Sequence, residues 1–245
     1  MKRNLILSVA WIVVMGIAMP AHGQDYNTLT DQEMEEGWVL LFNGDNFSGW
    51  RQCNGTDMPK NWAIEDNAMK VFTGEGKEPG SGANGDILFG DQKFNNFELT
   101  IDWKAGKMAN SGIFFNIREV QGKPIYYAAP EVQVLDNINA TDNQIDSHLA
   151  GSLYDMIAAD PKTVKPAGKW NTIVIRVEDG KVTHTQNGTE VLGYELWTPA
   201  WDELVANSKF KNFPGFTEGI AKKGYIGLQD HGYPVWFRNI KIREL

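Results

Sequence analysis

The stretch EVQVLDN, residues 131–137, concentrates acidic and amide side chains in what reads as a β-strand. Strand side chains alternate between two faces, so Glu131 and Gln133 share one face. Asp136 would rejoin that face only if an extra residue bulged out after Gln133. Two carboxyl groups about 5–5.5 Å apart can break a glycosidic bond by double displacement, one as nucleophile and one as proton donor. The spacing therefore predicts either a pair of sugar-cleaving carboxylates or the solvated face of a sheet.

A histidine near the end of the chain is the first candidate for proton transfer. His231 follows the apparent strand YIGLQD (225–230), and alternation places it on the same face as Gln229. The unperturbed pKa of histidine lies near 6.5, so His231 could exchange a proton close to neutral pH. Gln229 and Gln133 suit sugar hydroxyls, because an amide both donates and accepts hydrogen bonds. The alternative for His231 is a surface histidine bonded to a neighbouring loop.

Other polar and aromatic residues are candidates for holding a saccharide. Alternation in SGIFFNIRE (111–119) gives two faces, one with Ile113, Phe115 and Ile117, the other with Phe114, Asn116 and Arg118. The second face predicts Asn116 and Arg118 as substrate-binding residues, although Arg118 could instead pair with Glu131. Tyr154 follows a small-residue turn and is expected near the cleft, where His148 could also reach. Trp236 could stack on a sugar ring or simply pack in a core.

Short strand signals at regular intervals must position these residues. They are WVLLF (38–42), WAIEDNAMKVF (62–72), DILF (86–89), FELTIDWKA (97–105), SGIFFNIRE (111–119), EVQVLD (131–136), the stretch 170–196, YIGLQDH (225–231) and VWFRNIKI (235–242). Asp66-Asn67, Asp179-Gly180 and Asn187-Gly188 predict hairpin turns. Only TPAWDELVANSKF (198–210) reads as a helix, with Thr198 as its cap. The pattern predicts an all-β, two-sheet antiparallel β-sandwich or jelly roll with one short helix.

The first residues predict export. Lys2 and Arg3 precede the fifteen-residue apolar run 5–19, and the small residues of AHG (21–23) suit a cleavage site. This is the pattern of a secretory signal peptide over residues 1–23, cut near Gly23. The run is short of the roughly 20 residues that a membrane span needs. We expect an N-terminal segment over 24–36, a single domain over 37–245, and a periplasmic or extracellular location with no membrane association after cleavage.

Charge and cysteine content narrow the choice of partner. The formal net charge of −8 becomes −10 without residues 1–23, because Lys2 and Arg3 leave with them. Such an acidic chain lacks the basic surface that phosphate backbones require, which argues against a nucleic-acid partner. Cys53 is the only cysteine, so no intramolecular disulfide can form, and this favours a bacterial periplasm. The sequence carries no signal for an oligomeric state.

Five stretches, in order, resemble the family of 3-keto-disaccharide hydrolases. They are LFNGDNFSGW (41–50), NSGIFF (110–115), EVQVLDN (131–137), AGSLYD (150–155) and GYIGLQDHGYPVWFRNIKI (224–242). The likeness runs from about residue 37 to the C-terminus. The family has the concanavalin-A-like jelly roll shared with laminarinase-type glucanases and many lectins. The resemblance therefore implies that fold, and sugars as ligands.

Laminarinase-type glucanases carry their catalytic acids on one strand as Glu-x-Asp-x-x-Glu. EVQVLD has a similar spacing, with Glu131 at the position of the nucleophile, Gln133 in the middle and Asp136 at the position of the acid/base. The central acid is here an amide, and the last acid is one methylene shorter. Both departures weaken a conventional double displacement, because catalysis is sensitive to displacements of about 1 Å.

The family name implies a different chemistry. A carbonyl at C3 acidifies the hydrogen at C2, so a base can form an enolate and the C1 leaving group can depart by elimination, with or without later addition of water. His231 and Glu131 are the candidates for the base, and Asp136 for an acid. Three hypotheses stay open: this elimination, a retaining glycosidase using Glu131 and Asp136, and a non-catalytic carbohydrate-binding module. A divalent cation could polarise the C3 carbonyl, but the sequence shows no close ligand spacing such as His-x-x-x-His.

Overall fold

The computed structural model describes residues 26–72 and 85–245, which form two antiparallel β-sheets. The strands within these residues are β1 (Val39–Leu40), β2 (Trp50–Gln52), β3 (Trp62–Glu65), β4 (Ala68–Val71), β5 (Ile87–Phe89), β6 (Phe97–Ala105), β7 (Asn110–Ile117), β8 (Glu131–Leu135), β9 (Asn171–Glu178), β10 (Lys181–Gln186), β11 (Thr189–Glu195), β12 (Tyr225–Leu228) and β13 (Val235–Glu244). The larger sheet has the order β11-β10-β9-β6-β13-β4-β3, with β1 also on β13, and the smaller has the order β2-β5-β12-β7-β8. The predicted two-sheet sandwich is confirmed. The sequence pattern predicts no strand at the position of β2.

The three predicted hairpin turns are confirmed. They connect β3 to β4, β9 to β10 and β10 to β11. Asp179 and Asn187 have φ values of 50° and 49°, and the glycines that follow them have 88° and 83°. Two consecutive positive φ angles give the backbone twist that matches a tight hairpin, and Asp-Gly and Asn-Gly adopt them at low cost. These local signals explain why the turns could be read from the sequence.

The predicted helix is present, but it is not the only one. Helix α2 spans Pro199–Ala206, and the Thr198 side chain accepts a hydrogen bond from the backbone of Trp201. The described residues also contain α1 (Asp31–Glu35) and α3 (Pro214–Thr217), together with several single 3₁₀ turns. The expectation of one short helix is therefore wrong, because these two helices have five and four residues, too few for an apolar repeat. None of the helices in the described ranges has the length and apolarity needed to cross a bilayer.

The core lies between the two sheets. Along β6 the buried and half-buried positions alternate, so Phe97, Leu99, Ile101 and Trp103 all point inward. Residues of the smaller sheet, such as Ile113 on β7, complete this core from the other side. The N-terminal segment lies on the larger sheet, where Lys241 Nζ of β13 is 2.7 Å from the Glu33 carboxylate of α1.

The smaller sheet is buried on both of its faces. All residues of β7 and β8 are buried, because a second apolar cluster covers the outer face. That cluster contains Leu88, Phe114, Ile117, Ile125 and Ala129. The prediction that EVQVLDN could be the solvated face of a sheet is therefore wrong. Polar side chains of β7 and β8 on this outer face therefore have little exposed surface.

A β-bulge interrupts the alternation predicted for SGIFFNIRE (111–119). The pairing of β12 with β7 shifts register between Tyr225 and Gly227, and Asn116 has a φ of 51°. Ile117 consequently belongs to the outer cluster together with Phe114, instead of lying with Ile113 and Phe115. One extra residue in a strand reverses the facing of every residue beyond it.

Candidate active site

A polar cleft lies on the outer face of the smaller sheet, and it has two compartments. The smaller compartment, of about 300 Å³, is lined by Glu131, Tyr154 and Lys209 among others. The larger compartment, of about 680 Å³, is lined by Cys53, Asp86 and Asp230 among others. The same three residues line both compartments and so mark the boundary between them: Tyr126, Gln229 and His231.

Glu131 is a buried carboxyl group that faces the smaller compartment. Its exposed fraction is 5%, and no described side chain forms a hydrogen bond with its carboxylate. The residue opposite Gln133 on β7 is Gly112, and a Cβ atom there would overlap the Glu131 side chain. Burial raises the pKa of Glu131 to about 8, the charges of Asp86 and Asp142 act in the same direction, and Lys209 opposes them.

Gln229 and His231 present unpartnered polar atoms at the boundary between the compartments. Gln229 is 7% exposed, and its backbone is fixed because its N–H donates to Gly112 O while its carbonyl accepts from Ser111 Oγ at 2.8 Å. Its side-chain Oε1 is buried without a hydrogen-bond partner, as is His231 Nδ1. Buried polar atoms nearly always have partners, and because both residues line the cleft, these two atoms are candidates for binding a ligand there.

A hydrogen-bonded network supports the wall of the smaller compartment. The Tyr154 hydroxyl donates to Asp142 Oδ2 at 2.9 Å, and the His148 ring contacts Asp142 Oδ1 and Asp155 Oδ1, each at 2.8 Å. Asp155 Oδ2 in turn accepts from the backbone N–H of Lys209, whose Nζ lies 4.0 Å from the centre of the Tyr154 ring. His148 therefore stabilises the site from behind, and the network orients Tyr154 and Lys209.

Asp86 is a second acid, partly buried in the larger compartment, that sequence reasoning missed. It precedes β5, and its Oδ1 accepts from the backbone N–H of Asp230 at 2.9 Å. Burial raises the pKa of Asp86 to about 7, with the Asp230 charge acting in the same direction and backbone N–H groups of Asp230 and Ile125 opposing. The sequence offered one weak signal, an aspartate directly before the buried run ILF (87–89).

Asp136 does not share the face of Glu131. The pairing of β7 with β8 runs without a shift, so no bulge brings Asp136 back to that face. Its 2% exposed carboxylate accepts hydrogen bonds from the backbone of Met108 and Ile138 and from Asn139. Although burial alone would raise it, these bonds hold the pKa of Asp136 below its ordinary value. Asp136 lines neither compartment and shapes a turn, so the described structure does not support the predicted catalytic role, which stays a prediction.

Four predicted substrate-binding residues also lie outside the lining of the cleft. Gln133 is on the face of Glu131 but fully enclosed, and its Oε1 accepts from the backbone of Val134. Asn116 is enclosed at the β-bulge, and Arg118 is exposed beyond the end of β7. Trp236 is on the other sheet, where its Nε1 donates to Glu65 Oε1 at 2.8 Å. The structure thus brings together Glu131, Gln229, His231 and Tyr154 of the predicted set, and it adds Lys209 and Asp86.

The described residues hold no group of three histidine, cysteine, aspartate or glutamate side chains close enough to bind a metal ion. Calcium and magnesium prefer several carboxylate or carbonyl oxygens around one point. In the cleft both carboxylate oxygens of Asp230 are already engaged, Oδ2 by Asn61 and Gly85 and Oδ1 by Gly232. The divalent cation considered from the sequence stays a prediction.

Solved structures with the same fold define the class of protein. A crystal structure described as a "putative glycosyl hydrolase" from Parabacteroides distasonis matches with a TM-score of 0.80 and 31% identity, over 90% of this chain and 100% of that one. A second structure with the same description and source matches with a TM-score of 0.63 and 26% identity, over 85% and 99%. With its cleft of buried acids and unpartnered polar atoms, this chain is a carbohydrate-active enzyme of the β-sandwich class.

Sequence comparison gives the family. A family model described as the 3-keto-alpha-glucoside-1,2-lyase-like domain matches residues 37–243. A protein from Bacteroides thetaiotaomicron named 3-keto-disaccharide hydrolase is 42% identical over 230 residues, which are 86% of this chain and 79% of that protein. The chain belongs to the 3-keto-alpha-glucoside-1,2-lyase-like family. The resemblance drawn from five short motifs is confirmed.

Proposed function

We propose that this chain is an exported enzyme that cleaves 3-keto-glycosides, 3-keto-disaccharides among them, by removing the C2 proton and expelling the C1 leaving group. Water then adds to the product, so that the net reaction is hydrolysis. The family description names a 1,2-lyase and the relative's name a 3-keto-disaccharide, and the elimination accounts for both. Export rests on the signal peptide predicted over residues 1–23, which lie outside the described residues.

Glu131 is the general base of this proposal. A carboxylate removes a carbon-bound proton best when its pKa is raised toward that of the carbon acid, and burial provides this rise. Glu131 makes no hydrogen bond that would stabilise its charge, and it faces a compartment large enough for one sugar ring. A C3 carbonyl is needed because it acidifies the C2 hydrogen. The buried, unpartnered Glu131 carboxyl is the single observation on which the proposal rests.

The developing enolate needs positive partners. Lys209 Nζ places a positive charge on the wall of the same compartment, and its charge acts on Glu131. His231 Nδ1, when it carries hydrogen, is a buried donor with no other acceptor. Donors that are already in place where charge develops lower the barrier without reorganisation. Gln229 Oε1 accepts from a sugar hydroxyl and fixes the ring between these groups.

The two alternative functions have weaker support. A retaining glycosidase would need a second carboxyl group about 5–5.5 Å from Glu131 on the same face, and Asp136 is anchored elsewhere by four hydrogen bonds. A non-catalytic binding module has no use for an acid whose burial destabilises its charged form. A raised pKa would also suit the proton donor of a glycosidase, so the displaced position of Asp136 is what disfavours that alternative.

A comparison of oxidised and unoxidised substrates tests the proposal. The purified protein should cleave a 3-keto-disaccharide far faster than the parent disaccharide, and in D₂O it should exchange the C2 hydrogen of a 3-keto sugar. Glu131→Gln should lower both rates by at least about 10²-fold, the usual contribution of a general base. Glu190→Gln, an exposed glutamate on β11, is the matched control and should leave both rates unchanged.

Two results would contradict the proposal. Faster cleavage of the unoxidised disaccharide would point to a conventional glycosidase. Binding of either sugar without turnover would point to a binding module.

A further inference from the structure

The larger compartment suggests a role for the second acid. We propose that Asp86 is the catalytic acid that protonates the departing C1 oxygen, and that the larger compartment holds the leaving group. This inference rests on the proposed function, because it needs a sugar whose C2 lies beside Glu131. It assigns the two compartments to the two sides of the bond that breaks.

Strand pairing explains why Asp86 lies beside the reacting bond. On β12 and β5, Gly227 pairs with Leu88 and Leu228 with Ile87, so the same register places Gln229 opposite Asp86. Gln229 lines both compartments, whereas Asp86 lines only the larger one. A sugar ring in the smaller compartment therefore directs its C1 substituent past Gln229 and toward Asp86.

Unpartnered atoms at the boundary point to a ligand that crosses it. Gln229 is more than nine-tenths buried, and its Oε1 has no partner; His231 Nδ1 is likewise buried and unpartnered. Both residues line both compartments. A ligand that spans both compartments passes these two atoms, so the boundary suits a bond between two sugar units.

Asp86 is the acid in the larger compartment that is free to take part. The neighbouring Asp230 has both oxygens engaged by Asn61, Gly85 and Gly232, so it positions backbone groups. Asp86 accepts from the backbone N–H of Asp230 at Oδ1, and a backbone hydrogen bond with Ile125 also acts on its carboxylate. Its pKa is raised to about 7, below the value of about 8 for Glu131, so the state that reacts, ionised Glu131 beside protonated Asp86, is the minor one of the two singly protonated states. The charge of Asp86 also raises the pKa of Glu131. The two acids therefore influence each other across the boundary.

The proton balance closes over one turnover. Ionised Glu131 takes the C2 hydrogen, the C1–O bond breaks as the C1=C2 bond forms, and Asp86 gives its proton to the departing oxygen. In the hydration step water adds to C1, its proton goes to Asp86, and Glu131 returns a proton to C2. Both acids regain their starting states, and net hydrolysis needs no other proton donor.

The inference is tested with two leaving groups. One substrate is a 3-keto-disaccharide, whose sugar alkoxide leaves poorly without a proton. The other is a 4-nitrophenyl 3-keto-glucoside, whose phenolate leaves unaided. Asp86→Asn should lower cleavage of the disaccharide by about 10²-fold or more and that of the nitrophenyl glucoside by less than about 10-fold. The asparagine Oδ1 can still accept from Asp230 N–H, and exposed Asp45→Asn is the control, expected to change neither rate.

Equal losses on both substrates would overturn the role of Asp86. A second measurement separates this role from the base: C2 hydrogen exchange should persist in Asp86→Asn and vanish in Glu131→Gln. If Asp86→Asn fails to fold, a series of aryl 3-keto-glucosides with the wild-type protein decides. A weak dependence of rate on leaving-group basicity supports an acid, and a steep dependence refutes it. Failure of the wild type to cleave any 3-keto-glycoside would instead refute the proposed function.

Discussion

Gly112→Ala is the most specific perturbation of the Glu131 geometry. A Cβ atom at Gly112 would lie 2.8 Å from both Cγ and Cδ of Glu131, whereas ordinary contacts begin at 3.4 Å. The Oε1 atom of Glu131 would lie closer still, so the side chain must move by at least about half an ångström at Cγ and Cδ and by about an ångström at Oε1. Because a displacement of about 1 Å can cost 10²-fold in rate, we expect kcat/KM to fall by about 10-fold to 10²-fold. The loss should appear in cleavage and in C2 hydrogen exchange alike.

The same substitution should have little effect on stability. The colliding atoms belong to a flexible side chain, which can adopt a strained rotamer at about 0.5–1.5 kcal/mol. Replacing glycine also restricts the unfolded chain, which stabilises the folded protein by about 0.4–1 kcal/mol. Urea denaturation should therefore place Gly112→Ala within about 1 kcal/mol of the wild type. Gly193→Ala on β11 is the matched control, because its Cβ would meet only ordinary contacts of 3.5 Å and more. Wild-type activity in Gly112→Ala would refute the placement of Glu131 in the reaction.

Three further predictions concern Glu131, Asp136 and Trp236. In the folded protein Glu131 keeps its proton up to a pKa of about 8. Its contribution to stability is therefore full below the ordinary carboxyl pKa and falls by about 1.4 kcal/mol per pH unit as the pH rises to about 8. Glu131→Gln should therefore resist urea better than wild type at pH 9 and much less so at pH 4; identical pH dependences would contradict the buried acid. Asp136→Ala should lower the free energy of unfolding by about 1–3 kcal/mol, because it removes the hydrogen bonds of the carboxylate. The kcat of the folded protein should be unchanged, and a loss of kcat without a loss of stability would show that Asp136 acts in catalysis. Trp236→Ala should leave KM for a 3-keto-disaccharide unchanged, and a clear rise in KM would mean that sugars reach the larger sheet.

The fold was largely predictable because its signals are local. The Asp-Gly and Asn-Gly turns and the alternation along β6 each follow from neighbouring residues. Alternation also placed Glu131 and Gln133 on one face, and Gln229 with His231. What local pattern could not reveal was that loops cover the outer face of the smaller sheet. Burial by distant segments is what raises the pKa of Glu131.

The errors at the site have specific physical causes. A single bulge at Asn116 reversed the facing predicted beyond it, which removed Asn116 and Arg118 from the cleft. Trp236 was predicted to bind sugar because of its residue type. Alternation along a strand does not show on which sheet that strand lies. Asp86 was missed because only the register of β5 on β12 places it beside Gln229. Lys209 was missed because its position depends on the contact of its backbone with Asp155.

One buried carboxyl should link stability and activity in opposite directions. Because the folded protein favours the neutral form of Glu131, the protein loses stability as this group ionises toward a pKa of about 8. Under the proposed mechanism only the ionised form removes the C2 proton, so cleavage should rise only at the upper end of the pH range over which stability falls, where the folded protein begins to ionise. The leaving group needs protonated Asp86, and because the Asp86 pKa of about 7 lies below that of Glu131, the reactive form is a minor state that is most populated between about pH 7 and 8 and declines at higher pH. The pH–rate profile for a 3-keto-disaccharide should therefore be bell-shaped, whereas a substrate whose leaving group needs no proton should show little alkaline decline.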